Sequence, residues 1–167
     1  MNSHRIKQFY LSITDKINEE DKAYINKYLN KEELSLFYKL SSSEQKHSVR
    51  VAYDVEYICN KKLLDINEIQ VLIRAALLHD IGKIYPKLNS IDKSLLVILN
   101  KITNGNLKKF NKLKKIDVYY NHPEKGYNLL MNKGYDSKFL YLIKNHHKEN
   151  NEKDLYLEIL KFCDDKN

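Results

Sequence analysis

Apolar side chains recur along this chain at intervals of three and four residues, with no clear alternation of period two. That spacing belongs to helices that bury one face. It predicts helices at 4–15, 19–29, 31–40, 43–61, 66–79, 90–102, 123–133, 136–147 and 152–165, and so an all-α, compact single-domain helical bundle. Only 4 glycines and 2 prolines punctuate the 167 residues, which agrees with that reading. Ser41 to Ser43 and Asp65 stand where helix N-caps are needed. Pro123 occupies a predicted first helical position directly after His122, and Gly82 and Gly134 fit helix C-terminal stops. The pattern is weakest over 84–118, where "NGNLKKFNKLKKI" reads as a basic loop between helices.

The same periodicity gives an orientation to the polar residues. His47 lies on the stripe of Val51, Val55 and Ile58. His79 shares a face with Leu72 and Ala76, and Asp80 with Ile69, Ile73 and Ala76. Asp164 follows Leu157 and Leu160, whereas Asp165 follows Glu158 and Lys161, so the helix aims Asp164 inward and Asp165 at solvent. Inward-facing polar groups are costly unless paired, an ionised carboxylate most of all. A buried polar network is one solution; a shared cation explains better why several such groups come from different helices. His122, ahead of a predicted helix, is a further ligand, a cap or a surface histidine. His146 follows Phe139 and Leu142, and His147 follows Leu140 and Ile143, so spacing does not choose between them. His4 lies in an exposed-looking N-terminal stretch.

Imidazoles and carboxylates without cysteine suit iron, manganese, zinc, nickel or cobalt better than calcium. His47, His79, Asp80 and Asp164 complete one predicted shell; a bridging Asp80 with His122 and His146 would hold a second ion about 3.5–4 Å away. His147 is then free to meet substrate. Two such ions activate a water and clamp a phosphate, and Asp80 is placed to orient that water. No GxSxG, no paired catalytic Cys and His, and no Gly-rich phosphate loop offers a competing chemistry.

Composition narrows the setting. Hydrophobic residues make up 43% and charged residues 31%, as in soluble globular domains. The longest apolar run, "LLVIL" at 95–99, falls far short of the roughly 20 residues of a bilayer span. The N-terminus lacks a signal-peptide pattern, and Cys59 and Cys163 form no CxxC pair, so a cytoplasmic protein without membrane contact is expected. The net charge of +7 invites a nucleic-acid reading, but the excess is nearly all lysine, with arginine only at 5, 50 and 74. Lys108, Lys109, Lys112, Lys114 and Lys115 form a phosphate-attracting rim or, as the simpler reading, a solvated basic face. Arg50, three residues after His47, reaches a phosphate or stays in solvent. Tyr119 and Tyr120 stack on a base or pack in the core. No feature sets an oligomeric state.

Separated H…HD…D in an all-helical chain resembles the HD superfamily of metal-dependent phosphohydrolases. "QKHSVRVA" resembles its first-histidine helix, "LLHDIGK" its central HDxxK motif, and "LKFCDD" its final helix with Asp164 in the ligand position. The resemblance covers about residues 43 to 165; it implies an N-terminal helical extension over 1–42 and an HD-type metal-binding helical domain over 43–167. "HPEKG" with His122 and "NHH" with His146 and His147 look like the extra ligands of the bimetallic subgroup, which includes the HD-GYP phosphodiesterases. No GYP motif follows the histidine pair, and the acidic ED motif of guanosine tetraphosphate hydrolases is missing. Small HD hydrolases of dinucleoside polyphosphates share the HP and HH positions and the short length. The resemblance implies that Lys83 contacts substrate phosphate, and a lysine one turn from the metals is placed to stabilise charge on a phosphoryl oxygen; the plainer alternative is a cation at a helix C-terminus. The expected function is cleavage of a phosphoester or phosphoanhydride, with a nucleotide as expected substrate. The alternatives are a non-catalytic metal- or nucleotide-binding sensor and, further off, a basic nucleic-acid-binding protein.

Overall fold

Why the helices start where they do is a matter of orphan backbone N–H groups, which local side chains satisfy. The computed structural model describes residues 16–86, 90–148 and 154–167. Helix α1 (Glu19–Tyr28) opens on Asn18, and α2 (Lys31–Phe37) on Asn30; in each, Asp21 or Glu33 reaches back to the cap N–H as a capping box. Helix α3 (Ser42–Lys61) begins at Ser41, and α4 (Ile66–Leu78) at Asp65 with Glu68 completing its box. A 3-10 turn (Ile81–Ile84) follows directly. Then come α5 (Ser90–Ile102), a second 3-10 turn (Asn106–Phe110), α6 (Lys114–Leu130), α7 (Ser137–Asn145) and α8 (Leu155–Lys166). No strand occurs among the described residues, so the protein is all-α.

Helix α4 is the centre. Leu72, Ile73, Ala76, Leu77 and Leu78 are all fully buried, packed with Val51 and Val55 of α3, Leu142 of α7 and Leu160 of α8. Each leucine, isoleucine or valine among them contributes about 1.5–3 kcal/mol on burial. Ile25 of α1 and Phe37 of α2 enter the same core. Glu33 serves twice, since its Oε1 also accepts from Arg74 Nη2 of α4 at 2.6 Å. A smaller cluster of Leu96, Leu107, Ile116 and Val118 joins α5, the second 3-10 turn and the start of α6. Tyr119 and Tyr120 pack against it, and the Tyr120 hydroxyl donates to Asn100 at 2.5 Å.

Three sequence expectations are corrected. The helix expected at 123–133 runs from Lys114 to Leu130, so part of the supposed basic loop is helical and Pro123 sits inside α6. His122 is therefore in mid-helix and not at an N-terminus. Gly82 does not end a helix through a left-handed conformation; only Gly105 and Gly134 of the glycines have positive φ. Gly82 is there because a β-carbon would collide with the carbonyl oxygen of His122 and lie 2.7 Å from the Gly126 nitrogen. The helix expected at 4–15 and the expected start at 152 lie outside the described residues. No described helix is long and apolar enough to cross a membrane.

Candidate metal centre

The ligand candidates come from five elements: His47 from α3, His79 and Asp80 from the end of α4, His122 from α6, His146 and His147 from the end of α7, and Asp164 from α8. His79 and His146 are each the C-cap of an apolar helix, where terminal carbonyls lack intrahelical donors. Their rings supply the donor. His79 Nδ1 donates to Ala76 O and His146 Nδ1 to Ile143 O, both at 2.8 Å. His122 reaches the same result in mid-helix. Pro123 has no N–H for the Tyr119 carbonyl, and His122 Nδ1 donates there and to Val118 O, at 3.2 Å each. A carbonyl only accepts, so each Nδ1 carries hydrogen and each Nε2 faces inward. Anchoring of this kind sets the tautomer a metal-binding histidine needs.

The Nε2 atoms converge on two carboxylates. His47 Nε2 lies 2.9 Å from Asp164 Oδ1, and His79 Nε2 lies 3.4 Å from the same oxygen. Asp80 Oδ1 faces His122 Nε2 at 3.2 Å and His146 Nε2 at 3.9 Å, while its Oδ2 faces His79 Nε2 at 3.5 Å. His147 Nδ1 is 3.8 Å from Asp164 Oδ2, with its side chain 46% exposed. Two groups form: His47, His79 and Asp164; and Asp80, His122, His146 and His147. Within each, one ligand atom per residue lies within 4.8 Å of the others. Asp80 touches both.

This geometry fits divalent metal. His79 Nε2 and Asp80 Oδ1 are buried without a hydrogen-bond partner, a costly state for polar atoms. Five imidazoles and two carboxylates with no thiolate match a first-row divalent ion. The electrostatics call for positive charge: burial opposes a charged His79, yet Asp80 and Asp164 outweigh it and push the imidazole up to about 9. Burial and Lys83 push His122 down to about 4, and burial with His79 lowers His146 well below the usual range. Burial opposes ionisation of Asp80 and Asp164 too. Lys83 and His79 hold Asp80 anionic, and His79 and His47 hold Asp164 anionic.

Lys83 Nζ contacts Asp80 Oδ2 at 2.5 Å and Glu44 Oε2 at 3.8 Å, with 11% of its side chain exposed. Burial acts against its charge, but Asp80 and Glu44 keep it protonated. Glu44 is a residue the sequence reading missed. It lies three positions before His47 on α3 and is buried, and that spacing was the available signal. Arg50 lies partly buried on α3, three residues beyond His47. Lys108 and Lys109 on the second 3-10 turn, Lys112 in the link after it and Lys114 and Lys115 at the start of α6 are exposed, and Lys115 pairs with Asp92 at 2.6 Å.

An all-helical scaffold that gathers histidines and aspartates from five of its helices, at helix ends and within helices, defines a class of metal-binding helical domain. Within it, residues 45–166 match the HD domain family, and the chain belongs to that family. Neither the curated proteins nor the solved structures yield a match.

Proposed function

We propose that the protein is a metal-dependent phosphohydrolase that cleaves a phosphoester or phosphoanhydride bond of a small phosphorylated substrate, with nucleotides as the expected class. The observation that carries this reading is Asp80, whose two oxygens face the imidazoles of both ligand groups. In it, His47, His79, Asp80 and Asp164 would hold one ion and Asp80, His122 and His146 a second, from iron, manganese, zinc, nickel or cobalt. Divalent ions bound there supply Lewis acidity and bring a water toward ionisation at neutral pH.

The chain's own groups do the rest. The Nδ1 anchors keep three imidazoles oriented before any ligand arrives. Lys83 fixes Asp80 Oδ2 and sets a positive charge beside the spot where a phosphoryl oxygen gains charge. His147, the most exposed of the seven, is available to the substrate, and Arg50 is the nearby cation in sequence.

The test is elemental analysis of aerobically and anaerobically purified protein, followed by a screen of phosphomonoesters, phosphodiesters and dinucleoside polyphosphates with added iron, manganese and cobalt. Metal-dependent turnover abolished by Asp80→Ala is expected. Turnover that survives complete metal removal overturns the reading; tight nucleotide binding without turnover in every metal replaces it with a sensor.

A further inference from the structure

Between Asp92 and Asp117 the sequence holds seven lysines, at 93, 101, 108, 109, 112, 114 and 115, and no acidic residue. This stretch builds the satellite of α5, the second 3-10 turn and the start of α6. Its small cluster uses Leu96 and Leu107 but leaves other large apolar side chains in water. Leu95, Ile98, Ile102, Phe110 and Leu113 are each more than half exposed. Leu95, Ile98 and Ile102, spaced three and four apart, form one stripe along α5 beside the stripe of Leu96 and Leu99 that faces the cluster. Among the described residues, helix α5 thus has a wide apolar sector of which one side is covered by the cluster and the other is exposed. Lys101, Lys108, Lys109, Lys112 and Lys114 are exposed around it.

We propose that this satellite is a docking surface for an anionic lipid bilayer, with the apolar side chains entering the interface and the lysines meeting headgroup phosphates. Exposed aliphatic residues set among lysines are the composition that peripheral membrane elements use. The contact is peripheral and needs no spanning helix, but it departs from the sequence expectation of no membrane contact. A second copy of the chain is disfavoured as occupant, because a symmetric contact would press lysines on lysines, and Asp92, the one carboxylate on α5, is already paired with Lys115. Nucleic acid is disfavoured too. Four of the five exposed groups are aliphatic and cannot stack on bases, and the stretch contains no arginine. Lysine charge with aliphatic surface specifies sign and apolarity but no fixed geometry, as a fluid lipid surface requires.

The full chain is tested by co-sedimentation with phosphatidylcholine vesicles, with and without about one third phosphatidylglycerol. Binding to the anionic vesicles alone is expected. Lys108→Ala with Lys109→Ala weakens it about ten-fold or more, and Ile98→Ser with Ile102→Ser weakens it by a similar factor. All four positions are exposed, and circular dichroism checks that the variants keep the fold. No binding to anionic vesicles overturns the proposal. So does binding that ignores the isoleucine changes, which is charge attraction alone. Tighter binding to a DNA or RNA duplex than to vesicles, or a dimer in light scattering that Ile98→Ser with Ile102→Ser dissolves, assigns the face to another occupant and also overturns it.

Discussion

Gly82 and His122 meet backbone to backbone: there is no room for a β-carbon at Gly82 beneath the His122 carbonyl. Gly126, one turn further along α6, faces the Gly82 nitrogen across the same contact. This approach brings the turn after Asp80 against the helix that carries His122.

Gly82→Ala must therefore push α6 away. We expect a loss of about 2–4 kcal/mol in stability, as for overpacking against unyielding backbone, with weakened metal binding at the Asp80 and His122 group. Chemical denaturation together with metal content of the folded fraction checks this. An alanine variant as stable and as metal-loaded as the parent contradicts the packing argument.

Asp80→Asn keeps the volume and removes the charge that faces three imidazoles and Lys83. Metal content should fall at both groups, and any metal-dependent turnover should drop by at least about 100-fold. Asp165→Asn, one residue beyond Asp164 and exposed, should leave both unchanged. Equal behaviour of the two variants would remove Asp80 from the centre.

Pro123→Ala restores an N–H that competes for the Tyr119 carbonyl now serving His122 Nδ1. The fold should persist, with helix content unchanged by circular dichroism. Affinity for the metal at the His122 group should fall about 10-fold, the lower end for loss of an orienting hydrogen bond. Calorimetric titration of the metal-free protein with manganese reads the change. Unaltered affinity would make the proline incidental.

Glu44→Gln removes a buried negative charge from beside Lys83. Lys83 then bears on Asp80 alone, and the cluster attracts cations less. Metal affinity is expected to fall about ten-fold, with partial recovery in Glu44→Asp. A Gln variant that binds metal as the parent does would assign Glu44 to packing only.

Chelator-stripped protein should melt lower than metal-loaded protein. Saturation at about 100 times Kd stabilises by about 2.7 kcal/mol, which in a chain of this size is about 5–10 °C. Differential scanning calorimetry of both forms measures it, and coincident melting curves would argue against a metal centre.

The helical periodicity by itself determined that the protein is all-α and turned His47, His79, Asp80 and Asp164 inward. It separated Asp164 from the exposed Asp165, because a 3.6-residue repeat is a local property of the backbone. The "HDIGK" string and its partner histidines resembled the HD family, to which the chain belongs. Tertiary structure decided what local rules could not. A proline inside a helix is normally excluded, so the sequence placed the start of α6 at Pro123, yet the His122 ring satisfies the freed carbonyl and the helix runs through. Gly82 read as a stop because its use, contact with His122, depends on a segment some forty residues away. Glu44 carried a local signal in its place three residues before His47, but its partner Lys83 arrives beside it only through packing. Periodicity tells which face of a helix a side chain occupies; which faces meet is set by packing, and packing brought two ligand groups together on Asp80.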